Sequence, residues 1–173
     1  EEGISFAHPR GVKVFVVLNG FLHDSDLEQL TPFIHEITEL KADAVIASDL
    51  GVIRTVEKNS SLPIHLSTQA SCLNRSSAKV WKKMGVHRLI LGREVSIENA
   101  GRIKRETGLE VELFIHGSMC MAYSGNCTIS NYTKGRDSNR GGCAQSCRFK
   151  YSLDFNGSVP HVHDTTFMSS KDL

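Results

Sequence analysis

Two cysteines, Cys120 and Cys127, stand seven positions apart in the stretch GSMCMAYSGNC, and Cys143 and Cys147 follow within the same 28-residue span. A thiolate is both a soft metal ligand and a nucleophile. Four of the chain's five cysteines crowded into one Gly-, Ser- and Asn-rich segment therefore point to metal binding or catalysis before inert packing. Small residues among the thiols, Ser118, Ala122, Ser124, Gly125, Gly141 and Gly142, let the backbone wrap a compact centre. Iron-sulfur and zinc centres both accept such sulfurs, and spacing does not separate them. Cys72 lies far upstream and reads as a small buried residue.

Other side chains bear on the chemistry. A cysteine protease needs a thiol activated by histidine; His116 lies near Cys120 in sequence, and His65 lies on a neighbouring predicted strand, but no protease motif surrounds them. The His-Glu-x-x-His pattern of many metalloproteases is absent. His161 and His163, at strand spacing, read as residues of a loop or exposed strand. Arg93 with Glu94 suits either an anionic-substrate clamp or a structural ion pair at a strand end. Arg136, Arg140, Arg148 and Lys150 flank the thiols and suit RNA phosphates or a dicarboxylate, although exposed basic residues are more often only solvated. Tyr123 and Phe149 offer faces for base stacking, with packing as the ordinary alternative.

These residues need elements to position them. Short β-branched or apolar runs at 12–19, 44–48, 64–68, 88–92 and 110–116 predict buried strands. Between them, Ser25 can cap a helix carrying Leu27, Leu30, Ile34, Ile37 and Leu40 at helical spacing. Asn74 caps another with Ala78, Trp81 and Met84, ended by Gly85, and Ser96 a third with Ile97, Ala100 and Ile103, ended by Gly108. Strand–helix alternation predicts parallel strands, in sequential order, joined by right-handed crossovers. The expected fold class is α/β: parallel β/α units of an incomplete TIM-like barrel over 1–116, a Cys-rich segment over 117–150 and a β-hairpin region over 151–173. Polar residues gather after the strands: Asn19, Ser48 with Asp49, Thr68 with Gln69, Arg93 with Glu94, and His116. A barrel builds its site on that face, so the sulfurs are expected near Gln69, Arg93 and His116. Five strands do not close a barrel. The opening EEGISFAHPRG reads as the tail of a helix whose strand is missing, and the open sheet edge is expected to be covered by another chain, as in a homo-oligomer.

The chain of 173 residues carries 20 Lys+Arg against 19 Asp+Glu, a net charge of +1 that argues against wholesale wrapping by nucleic acid while leaving room for a local basic patch. No apolar run reaches the ~20 residues of a membrane span, and no signal peptide opens the sequence, so the expectation is a cytoplasmic protein without membrane partners.

Glu112, Phe114, Gly117, Ser118, Met119, Cys120, Gly125, Cys127, Ile129 and Ser130 together resemble the signature of peptidase family U-32, the collagenase-like proteases. HLSTQA (65–70), LGREVS (91–96) and RDSNRGGCAQSCRFKY (136–151) resemble the same family. The resemblance implies more than proteolysis. Several members act in hydroxylation of RNA bases in tRNA or ribosomal RNA, and relatives work in oxygen-independent ubiquinone hydroxylation, with a 4Fe-4S cluster held by cysteines. It implies Cys120, Cys127 and Cys143 as ligands, a fourth thiolate downstream of the closing Ser-Lys-Asp-Leu, and Cys147 as either a spare thiol or a stand-in. Prephenate is implied as hydroxyl donor for the tRNA branch. The candidate site residues are Gln69, Glu112 and His116 for catalysis and Arg93, Glu94, Arg140 and Arg148 for substrate. A collagenase-like peptidase and a zinc-stabilised RNA-binding domain are the alternatives.

Overall fold

A computed structural model of the chain describes residues 1–117, 119–123 and 126–151, so the expected hairpin region beyond Tyr151, with His161 and His163, lies outside the described residues. Two compact units divide the chain, Glu1–Phe114 and Ile115–Leu173. The first is a five-stranded sheet, β1 (Phe15–Leu18), β2 (Ala44–Ala47), β3 (Ile64–Leu66), β4 (Val86–Ile90) and β5 (Glu110–Glu112), in sequential order. Every neighbouring pair is parallel, as the strand–helix rhythm predicts. The helices are α1 (Glu2–Ala7), α2 (Asp24–Leu27), α3 (Leu30–Glu39), α4 (Leu50–Asn59), α5 (Arg75–Lys83) and α6 (Ile97–Thr107), with α7 (Ile129–Lys134) in the second unit.

Sequential parallel strands with crossovers of one hand place the connecting helices on one face of the sheet. Side chains alternate along each strand, so one set turns toward those helices. Val45, Ala47, Ile64, Leu66, Leu89 and Leu91 from the strands join Ile34, Ile37, Val52, Ile53, Val56, Ala78, Ala100 and Ile103 from the helices in a single buried cluster. The opposite set is mixed. Val17, Ile46, His65, Arg88 and Glu110 stand in register across the five strands, with Val17 56% exposed.

Two departures from the sequence reading have local causes. The single helix expected from Ser25 is two, α2 and α3, broken around Glu28 and Gln29. Pro32 has no N–H to give the Glu28 carbonyl and its ring crowds that carbonyl, so a helix can start just before it but cannot run through it. The cap shifts as well: Asp26 accepts the His23 backbone N–H at 2.9 Å, so the turn opens at His23 rather than Ser25. Helix α4 was not foreseen. Asp49, taken as a strand-end polar residue, accepts the Val52 N–H at 3.1 Å and caps it. The other caps follow the reading: Asn74 accepts from Ser77 N and Ser96 from Asn99 N. Gly85 and Gly108 take left-handed φ values of +80° and +69° after their helices.

Candidate functional site

Polar side chains meet just beyond the C-terminal ends of β1, β2 and β3. Ser48 Oγ lies 3.0 Å from the Asn19 carbonyl oxygen and 3.2 Å from Gln69 Oε1. Asn19 Nδ2 donates to Ser67 Oγ at 3.5 Å, and the Gln69 backbone N–H reaches the same hydroxyl at 3.4 Å. Ser48 and Ser67 are buried, whereas Asn19 and Gln69 are only half-buried. A 3₁₀ turn, Thr68–Ala70, carries Gln69 and ends at Ser71 with φ +48°, a left-handed value uncommon for a residue with a Cβ. The sequence pointed to Asn19, Ser48 and Gln69 as strand-end residues. Ser67 was missed, and its signal was the period-two spacing from His65 on the same strand.

One step down the same face, a charged group crosses the sheet. Arg88 on β4 donates to Glu110 at 2.6 Å and Glu112 at 3.2 Å. These bonds hold Arg88 well inside its charged range and push the Glu110 carboxyl below its usual range. Glu112, a catalytic candidate, is thus tied to Arg88. His65 beside them is 5% exposed, packs edge-on against the Phe15 ring at 4.8 Å, and has no hydrogen-bond partner for Nδ1 among the described residues. Burial, then the Arg88 charge, lowers its pKa, which keeps the imidazole neutral.

At the ends of β4 and β5, the Arg93 guanidinium stacks over the Phe114 ring with 3.7 Å to the centroid. Glu94 is exposed, and its carboxylate folds over Gly92, where a Cβ would meet Oε2 at 2.1 Å. Gln69, Arg93, Glu94 and Glu112 therefore all belong to the first unit. His116 is exposed and belongs to the second.

The second unit organises the thiols. Cys120, Cys127, Cys143 and Cys147 are all free, and Cys143 is exposed. Cys127 is pinned by its backbone N–H to Asn139 Oδ1 at 3.0 Å and by its carbonyl to the Ser138 hydroxyl. Its sulfur accepts the Ile129 N–H at 3.5 Å, and the Cys143 sulfur accepts the Gln145 N–H at 3.4 Å. Two residues apart in each case, these N–H groups point positive dipole at the sulfur, as hydrogen bonds to metal-ligating cysteines do. Buried Ser130 and Ser146 link the two stretches: Ser130 Oγ accepts Ala144 N at 3.1 Å, and Thr133 and Ser146 hydroxyls meet at 2.6 Å. Gly142 before Cys143 is obligatory, because a Cβ there would stand 2.4 Å from the Asp137 carbonyl oxygen.

Cys147 is placed differently. Arg148 donates to its sulfur at 3.1 Å and to the Met119 carbonyl at 3.2 Å, so this arginine, a substrate candidate in the sequence, braces the thiol segment. Arg140 is exposed at the end of the turn Ser138–Arg140. In donor chemistry the segment fits a soft metal centre: free thiols with N–H donors on two of the sulfurs. Among the described residues, no three His, Cys, Asp or Glu side chains are gathered into a ready-made metal group.

Comparison with known proteins places this arrangement. The chain is 45% identical over 153 residues to tRNA hydroxylation protein P of Helicobacter pylori, covering 87% of this chain and 36% of that protein. It is 37% identical over 171 residues to the 23S rRNA 5-hydroxycytidine C2501 synthase of Escherichia coli, covering 99% of this chain and 26% of that enzyme. The chain thus spans about a third of the length of these relatives. A solved U32 peptidase structure shares the fold with a TM-score of 0.54 at 14% identity, over 67% of this chain and 51% of the other. The model of peptidase family U32 matches residues 1–173, and the chain belongs to that family.

Proposed function

We propose that this chain is part of a cytoplasmic enzyme that hydroxylates RNA bases, in tRNA or ribosomal RNA, with a 4Fe-4S cluster on its second unit. The observation that carries the reading is the 45% identity to a tRNA hydroxylation protein across 87% of the chain, the thiol segment included. Among the described residues no helix is long and apolar enough to cross a membrane. Cys120, Cys127 and Cys143 would hold the cluster, with a fourth thiolate from elsewhere in the parent protein. Backbone N–H donors on the Cys127 and Cys143 sulfurs support that choice, whereas Arg148 already engages Cys147. When bound, the cluster supplies one-electron redox chemistry.

The protein's own side chains divide the remaining work. The neutral polar group at Asn19, Ser48, Ser67 and Gln69 binds and orients the substrate base. Arg93, stacked on Phe114, and exposed Arg140 meet anionic groups: RNA phosphates or a carboxylate hydroxyl donor such as prephenate. The five strands are taken as an arc of a β/α barrel, a reading supported by their sequential parallel order and by the helices packed with them in one buried cluster. Strands of the parent protein, or a second copy, cover the edges at β1 and β5.

Anaerobic purification of the full-length parent protein, with iron and sulfide analysis, tests the cluster. Mass spectrometry of nucleosides from cells lacking and regaining the protein tests the reaction. Iron with acid-labile sulfide and a hydroxylated nucleoside that returns with the gene are expected. Zinc without sulfide, or gelatin cleavage with an unchanged nucleoside profile, would reject the reading.

A further inference from the structure

Two hydroxyls of α7 grip the turn that follows Cys143. Ser130 Oγ accepts the Ala144 backbone N–H at 3.1 Å, and Thr133 Oγ1 lies 2.6 Å from Ser146 Oγ. Ser130 and Ser146 are wholly buried, so their bonds are shielded from competing water. Between the two gripped residues stands Gln145, whose φ of +55° is left-handed, a conformation disfavoured for a residue with a Cβ. Its N–H meets the Cys143 sulfur at 3.4 Å. The same helix steadies the donor of the other thiol. Thr133 Oγ1 donates to the Ile129 carbonyl at 2.8 Å, and the Ile129 N–H reaches the Cys127 sulfur at 3.5 Å. These links join the two thiol stretches whichever hydroxyl supplies the proton between Thr133 and Ser146.

We infer that Ser130, Thr133 and Ser146 are positioning residues for the metal centre: their hydroxyls hold the turn at 144–146 on α7, which keeps Gln145 left-handed and its N–H aimed at the Cys143 sulfur. Strained backbone persists only where its surroundings over-determine it, and here the residues on both sides of Gln145 are bonded to one helix. An N–H dipole aimed at a ligating sulfur stabilises the more negative, reduced state of an iron-sulfur centre and so raises its reduction potential. The three hydroxyls thereby act on the centre without touching it. The inference rests on the cluster reading above and goes beyond it, to residues that set the electrostatics at two of the ligands.

The test uses the full-length parent protein, purified anaerobically, with Thr133→Val, which removes the hydroxyl but keeps the shape at an exposed position, and Thr133→Ser, which keeps the hydroxyl. Ser130→Ala breaks the other grip. Thr133→Val and Ser130→Ala are expected to lower the reduction potential of the centre and to speed iron loss to a chelator about tenfold, the usual scale for groups that orient metal ligands. Thr133→Ser should match the wild type. Adding Gln145→Gly to Thr133→Val should slow iron loss again, because glycine stays left-handed without a grip. Cadmium titration of the chelator-stripped protein, followed by the thiolate-to-metal absorption band, repeats the comparison without iron, and Thr133→Val should bind about tenfold more weakly. Unchanged potential, iron loss and cadmium affinity in Thr133→Val, or the same losses in Thr133→Ser, would overturn the inference. Cadmium binding that follows the expected order in a protein without iron and sulfide sinks the cluster reading alone. Iron and sulfide indifferent to these substitutions sink this inference alone, and a wild-type protein that binds neither metal sinks both.

Discussion

The four clustered thiols are chemically alike but differently held, and that difference can be measured. Cys127 and Cys143 receive backbone N–H groups at sulfur, while Cys147 receives the Arg148 guanidinium. Cys120→Ser, Cys127→Ser and Cys143→Ser in the parent protein should each remove most of the iron and sulfide together, because a hydroxyl is a poor ligand for a soft cluster. Cys147→Ser should keep most of it. Iron retained in the first three, or lost equally in the fourth, rejects the assignment. His65 gives a second prediction. Burial and Arg88 hold its pKa below the usual 6.5, His87 adds to that, and Glu112 and Glu110 oppose it. The unfolded chain therefore takes up a proton that the folded chain refuses. On this account stability is undiminished above about 6.5 and falls as pH drops from there toward the lowered folded value. Urea midpoints measured from neutral pH downward should show this slope, and His65→Leu should flatten it; an unchanged slope shows that other groups cause it.

At the scale of elements, caps and breakers decide where each helix lies and so where the strand-end residues stand. Asn74 accepts the Ser77 N–H at 2.9 Å, and α5 follows directly from the turn that carries Gln69. Asn74→Ala should cost about 1 kcal/mol in chemical unfolding, and Asn74→Ser should recover most of it, since serine also caps. No loss in the alanine variant would mean that packing, not the cap, holds α5. Legibility differed between elements for physical reasons. The α5 and α6 boundaries were readable because a cap residue, an apolar period and a closing glycine agree. The α2–α3 break was misread because the apolar spacing from Leu27 to Leu40 runs unbroken across Pro32, and the proline's missing N–H outweighs the pattern. Helix α7 lay hidden within the Cys-rich segment, where buried Ser130 and Ser146, with the Thr133 hydroxyl on Ser146, replace an apolar face.

For the molecule as a whole, the buried cluster between sheet and helices carries the first unit, and the thiol segment belongs to another unit. Ile34 on α3 is fully buried in that cluster. Ile34→Ala should lower unfolding free energy by about 2–5 kcal/mol, as deletion of buried branched side chains does. At temperatures where the fold persists, iron content should be unchanged. A cluster lost along with that stability would show that the two units unfold as one.

The order of the strands, the parallel class of the sheet and the clustering of the thiols were legible in the chain, because apolar period, caps and cysteine spacing are local properties written in consecutive residues. Which strand-end residues meet was not. The chain shows Asn19, Ser48 and Gln69 as separate polar residues, each with a packing alternative. Parallel pairing of β1, β2 and β3 brings together side chains up to 48 positions apart and makes two serines the anchors of two amides. Charge pairing was equally opaque: that Glu112, a catalytic candidate, and Glu110 both pair with Arg88 follows only from the β4–β5 register. Register is a long-range property, since a one-residue slip turns every side chain to the other face while leaving each strand's own sequence pattern intact.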